Sequence, residues 1–185
     1  MPRTRSDLDR DAKIAEIVLA AERRLQDGGY EALSVAAIAR ELGLAQNAIY
    51  WYFPSKDDLF VAALRQMLRG IAAQKPSRTV GEIERILWFT DQLEALSGLR
   101  GAMSERAQTS AVVADFVEEL DTLLSRMLSN VLRNHVPQKD LATAVEAVRA
   151  TVQGTFVRGL GKRTRRKVLT FTLERVMEKP SSQLG

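Results

Sequence analysis

Residues 33–59, LSVAAIARELGLAQNAIYWYFPSKDDL, decide how the chain is read. Ser34 is a side-chain acceptor placed to cap a short helix. Val35, Ile38, Ala39 and Leu42 share one face of that helix, since three- and four-residue spacing returns to the same side. Gly43 ends it, because glycine takes the left-handed backbone region without steric cost. After only Leu44 and Ala45, a second short helix is predicted over 46–53, closed by Pro54, whose ring disfavours helical geometry in the residue before it. Two short helices joined by a tight glycine turn are a helix-turn-helix candidate. The second helix must anchor on one side and hydrogen-bond on the other. Ile49 and Phe53 serve as anchors, and Gln46 and Asn47 can each pair bidentately with an adenine edge. Tyr50, Trp51 and Tyr52 cannot all be buried on so short a helix. At least one must face outward, where a phenol can reach a phosphate oxygen.

Working outward, Ile14, Ile17, Val18, Ala21 and Leu25 predict an amphipathic helix over about 10–27, stopped at Gly28-Gly29. Ser55 reads as the cap of a longer helix with acidic Asp57 and Asp58 in its first turn, ended by Lys75-Pro76-Ser77. Further helices are predicted near 79–97, 99–107 and 109–135, then one starting at Pro137 and a last one over about 164–179. Pro180 to Gly185 reads as a frayed tail. No stretch alternates as a strand would. The fold class is therefore all-α, with about nine helices.

The 185 residues hold no cysteine and one histidine, which excludes thiolate chemistry, cysteine-ligated metals and multi-histidine sites. His135, beside Pro137, reads as an exposed helix-end residue without a catalytic partner. Neither a catalytic residue, a metal site nor a cofactor is expected, and the chain is not read as an enzyme. No apolar run approaches the roughly 18–20 residues of a membrane span, and the polar N-terminus is unlike a secretory signal, so a cytoplasmic location is expected. The net charge is +4 and the pI about 9.6, but residues 1–60 carry eight Lys/Arg against ten Asp/Glu, while residues 158–179 carry eight against two. The whole-chain charge is thus a poor guide to where an anion would bind. The basic run 162–167 is read as a solvated turn between the last two helices rather than a second nucleic-acid site. Gly161-Lys162 is not a phosphate loop, since Phe156 stands where that motif needs glycine.

The run from Leu33 to Leu59, with its preceding helix and Gly28-Gly29-Tyr30 exit, resembles the DNA-binding domain of the tetracycline-repressor (TetR) family. The resemblance covers residues 10–60 and implies a domain division: a three-helix helix-turn-helix head over 1–54, and a helical ligand-binding and dimerisation domain over 55–185. It implies phosphate contacts from Ser34, Tyr50 and Lys56, and base reading by Gln46 and Asn47. Tyr52 stands where many members have histidine, Ala36 where some have a base-reading arginine. Trp51 completes the aromatic cluster. Arg3 and Arg5 are either a solvated tail or a minor-groove arm.

The resemblance also implies a homodimer joined through the last two helices. Leu141, Val145, Val148, Val152, Phe156, Val168, Leu169, Phe171, Leu173 and Val176 would supply the interface. It implies an effector pocket as well, with Trp88, Phe89, Gln92, Met103, Phe116 and Met127 among the candidates. The scarcity of charge on those stripes favours an apolar or aromatic effector. The chain is thus expected to be a ligand-responsive regulator, a repressor released from a palindromic double-stranded DNA operator by a small molecule. The alternative is a small-molecule-binding helical protein that has lost operator binding.

Overall fold

The computed structural model describes residues 5–77 and 79–178; Arg3 and the tail from Pro180 lie outside them. Among the described residues there are nine α-helices and one 3-10 segment, and no strand. The helices are α1 (Arg5–Ala32), α2 (Val35–Glu41), α3 (Gln46–Tyr52), α4 (Lys56–Ala73), α5 (Glu82–Gln92), α6 (Arg100–Ala107), α7 (Ala111–Leu132), α8 (Leu141–Val157) and α9 (Lys162–Met177). The 3-10 segment, Leu93–Leu99, follows α5. They form two compact units, one of residues 1–74 and 98–117, the other of 75–97 and 118–185.

In the first unit α1 packs on α4. Ile17, Val18, Ala20, Ala21 and Leu25 of α1 are buried, as are Leu59, Phe60, Val61, Ala63 and Leu64 of α4. At roughly 1.5–3 kcal/mol for each large aliphatic or aromatic side chain removed from water, this shared face is the main support of the unit. The break at Gly28-Gly29 is a kink, with Gly28 at φ −152° and Gly29 at φ 67°, after which helical bonding resumes through Ala32. Arg5 opens α1 and so is not part of an extended arm. The two serine caps are both made: Ala37 N donates to Ser34 Oγ at 3.2 Å, and Asp58 N to Ser55 Oγ at 3.1 Å.

The second unit is built on α5, α7, α8 and α9. Ile86, Leu128, Val131, Leu132, Val145, Val148 and Leu173 form one buried cluster. This corrects part of the dimer face expected from the sequence. Val145, Val148, Leu169 and Leu173 are at most 6% exposed within the chain and cannot meet a partner. The exposed large apolar residues of α8 and α9 are Val157, Val168 and Phe171. Pro137 does not start a helix either. Asp140 N bonds back to Pro137 O at 2.9 Å in a turn, and α8 begins at Leu141.

The basic run 162–167 is not a solvated turn. It forms the first turns of α9, a helix end whose unpaired N–H groups favour negative rather than positive charge. The conflict is resolved by carboxylates from α5 and the 3-10 segment. Arg165, 1% exposed, donates to Glu94 Oε2 at 2.6 Å and lies 3.7 Å from Asp91. Arg166 donates to Asp91 at 2.7 Å and to Glu84 at 2.6 Å, and the Lys162 ammonium lies 3.4 Å from Asp91. His135 is likewise engaged rather than free, its Nε2 2.6 Å from Glu82 Oε2.

Candidate nucleic-acid interface

The turn between α2 and α3 is set by backbone hydrogen bonds. Leu44 N donates to Ala39 O at 2.8 Å and Gly43 N to Arg40 O at 3.3 Å, a paired closure of the last turn that needs a left-handed residue between them. Gly43 supplies it at φ 65°. A side chain there would be strained, so the angle between the two helices depends on this glycine.

This turn fixes which side of α3 is anchored. Ile49 is fully buried and Phe53 nearly so. Gln46 and Asn47 are consequently exposed, as are Tyr50 (39%) and Trp51 (68%), while Tyr52 is half-buried. The Tyr52 ring packs edge-on against Trp51, with centroids 4.8 Å apart. Tyr50 and Trp51 thus give the outward side of α3 an aromatic surface. Arg10 of α1 lies over the same indole, 5.3 Å from its centroid. Arg10 was not singled out from the sequence, since 41 residues separate it from Trp51 and no local pattern joins them. Ser34 is exposed beside the start of α2, where its Oγ is already committed to Ala37 N.

A polar junction joins α1, α4 and α6. The Tyr30 hydroxyl donates to Asp57 Oδ1 at 2.6 Å, and Arg106 of α6 grips the same carboxylate through Nε at 3.2 Å and Nη2 at 2.7 Å. The Arg106 guanidinium, aided by the Tyr30 hydroxyl, holds the Asp57 carboxyl below the usual aspartate range although burial opposes it. Burial first, and then the bond to Asp57, pushes the Tyr30 phenol up to about 12. Tyr30 also packs edge-on against Phe60 at 4.9 Å. Lys56 Nζ rests 3.9 Å from the centre of the Tyr30 ring, so this ammonium is held in place by an aromatic face. Sequence reasoning found Asp57 only as a first-turn acid. Its partners stand 27 and 49 residues away.

The effector candidates divide between the units. Met103 and Phe116 are buried in the first, with the Arg65 guanidinium 5.5 Å from the Phe116 ring. Trp88, Phe89, Gln92 and Met127 are half-buried in the second. An open, polar groove of about 390 Å³ runs along α7, lined by Asp121, Thr122, Ser125, Arg126, Ser129, Asn130 and Arg133, and includes none of them. Among the described residues no group of three or more His, Cys, Asp or Glu side chains is placed to hold a metal ion, and no helix is long and apolar enough to cross a membrane.

Comparison with known proteins agrees with this geometry. The family described as "Bacterial regulatory proteins, tetR family" matches residues 17–63, the segment from the middle of α1 into α4. This segment of the chain, about a quarter of its length, is thus similar to the TetR family. It is 27% identical over 121 residues to the HTH-type transcriptional repressor KstR of Mycobacterium tuberculosis, a match covering 61% of this chain and 55% of that protein. It is 28% identical over 153 residues to the HTH-type transcriptional regulator BetI of Rhizobium meliloti, covering 77% and 75%. In three dimensions it is similar to a TetR transcription regulator from Haloarcula marismortui, with a TM-score of 0.72 at 20% identity, over 91% of this chain and 100% of that one. The TetR match thus falls on the residues whose exposure and anchoring define the interface.

Proposed function

We propose that the chain is a sequence-specific, DNA-binding transcriptional regulator. In this reading residues 1–54 read an operator and residues 55–185 bind an effector and a second copy of the chain. The observation that carries it is the presentation of α3: Gln46, Asn47, Tyr50 and Trp51 exposed on a helix held from behind by buried Ile49. Gln46 and Asn47 contact base edges in the major groove, Tyr50 and Tyr52 donate to phosphates, and Ser34 and Lys56 bind the flanking backbone. Its relatives' names, transcriptional repressor and regulator, support the same role.

Two copies bind together. Val157, Val168 and Phe171 leave α8 and α9 an apolar surface for a two-fold partner. Such a dimer sets its two α3 helices about 34–36 Å apart, one turn of the duplex, so the operator is palindromic. A small apolar or aromatic effector, with Trp88, Phe89, Gln92, Met103, Phe116 and Met127 as its candidate contacts, releases the operator by binding the DNA-incompetent state more tightly. The protein acts in the cytoplasm, as a repressor and without catalysis. The test is enrichment of duplexes from a random pool, followed by footprinting and sedimentation of the complex. A palindromic protected tract bound by two chains is the expected result. No enriched duplex would leave the reading of a ligand-binding protein without operator affinity.

A further inference from the structure

Of the six cations described between residues 9 and 60, three are paired with carboxylates, while Arg10 and Arg40 are exposed with no carboxylate partner among the described residues. Lys13 pairs with Glu16 at 2.6 Å, and Arg23 and Arg24 share Glu41 at 2.7 and 2.9 Å. Lys56 is seated on the Tyr30 ring. Arg10 is set apart from Arg40 by its guanidinium, which lies over the exposed Trp51 indole of α3. A guanidinium stacked by its face keeps its N–H groups at the edge, where they can fork onto a phosphate. The indole also removes much of the rotamer freedom that a free arginine would lose on binding.

We propose that Arg10 is a phosphate-binding residue of the interface and that Trp51 is its positioning residue, so that α1 clamps the duplex backbone alongside the helix that reads it. The inference rests on the operator-binding reading and adds to it a contact from outside the helix-turn-helix. Trp51, on this view, acts through Arg10 rather than by reading bases.

The experiment uses the full chain, a duplex it enriches from a random pool, and a mixed-sequence duplex of equal length, titrated across salt. Arg10→Gln should weaken both duplexes by the same factor, about eightfold per subunit at 0.1 M salt. The slope of log K against log salt should become shallower by about 0.9 per subunit, the value for one phosphate. Arg10→Lys should retain the slope. In a Trp51→Leu background, Arg10→Gln should cost clearly less than in the wild type, which a role for Arg10 in folding alone would not produce.

An unchanged slope in Arg10→Gln, with the wild type still bound, overturns the phosphate contact. Loss confined to particular base pairs overturns it in favour of base reading. Equal losses in both Trp51 backgrounds overturn the positioning role. A wild type that enriches no duplex overturns the operator reading, and this inference with it.

Discussion

Two regions of the molecule invite an anion, and they do so in opposite ways. The start of α9 is rich in basic residues, yet Lys162, Arg165 and Arg166 are all met by Asp91, Glu84 or Glu94. The surface around α3 lies in a stretch with more acids than bases, yet it presents neutral donors, an exposed indole and an arginine with no carboxylate of its own. Charge counted along a chain therefore says little about charge available to a ligand. What matters is how much of it the fold has already neutralised. In α9, Lys162, Arg165 and Arg166 hold the helix to α5 and the 3-10 segment. Around α3, a few uncommitted groups are left to a partner.

The most forceful way to break this comparison is at Arg165. Its side chain is almost wholly buried, and its loss would leave Asp91, itself 7% exposed, with weaker compensation. Removing one member of a buried ion pair costs about 3–5 kcal/mol, and Arg165→Ala should fall at the lower end, about 3 kcal/mol, because Arg166 and Lys162 remain on Asp91. Urea unfolding would measure it. A cost below about 1 kcal/mol would mean that the basic run is the solvated segment its composition suggests.

A smaller effect is expected at the junction of Tyr30, Asp57 and Arg106. Asp57 is held below its ordinary value of 3.8 by Arg106 and Tyr30. Stability from a depressed carboxylate is present above its unfolded value and is lost as pH falls through the folded one. The wild-type melting temperature should therefore drop as pH is lowered below 3.8, and Asp57→Asn should flatten that dependence. At neutral pH the same substitution should cost about 1.5 kcal/mol, through weakened hydrogen bonds from Tyr30 and Arg106. At the alkaline end, the Tyr30 phenol, with its value raised from 10.0 to about 12, contributes stability that is lost as pH rises through that interval. Tyr30→Phe should remove this alkaline component and weaken, without abolishing, the acid one, since Arg106 still holds the Asp57 carboxylate.

The parts of the fold legible in the sequence are those decided within a turn or two of helix. Ser34, Gly43, Pro54 and Ser55 act on backbone groups no more than five residues away, so their roles follow from residue type and spacing. The outward face of α3 was legible for the same reason: seven residues cannot hide three adjacent aromatics. What was not legible depends on partners distant in sequence. Arg165 meets Glu94 across 71 residues, Arg106 meets Asp57 across 49, and Arg10 reaches Trp51 across 41. Part of the expected dimer face was misread because an apolar stripe on a helix does not say whether it faces the chain's own core or a second copy: Val145, Val148, Leu169 and Leu173 face the core, while Val168 and Phe171 of the same set are exposed.

On the α3 side the comparison is sharpened by Gln46→Ala and Asn47→Ala. Each should lower discrimination at one contacted base pair by about 1.5 kcal/mol, within the range of a bidentate contact, while Tyr50→Phe should weaken all sequences alike. Competition binding against single-base variants of an enriched duplex separates the two patterns. Uniform losses from all three would make α3 a backbone-binding surface only.

The smallest effect is expected from Lys162→Gln. The salt slope counts only those cations that displace counterions from phosphates. Lys162 sits on Asp91 in a different unit from the one that holds α3, so its charge is taken up within its own unit. Its side chain is 63% exposed, which also keeps the pair's contribution to stability small. Salt titration should therefore give the wild-type slope, and thermal unfolding a midpoint close to that of the wild type. A slope reduced as far as by Arg10→Gln would show that exposed charge alone governs affinity, whatever it is paired with, and the distinction between the two regions would fail.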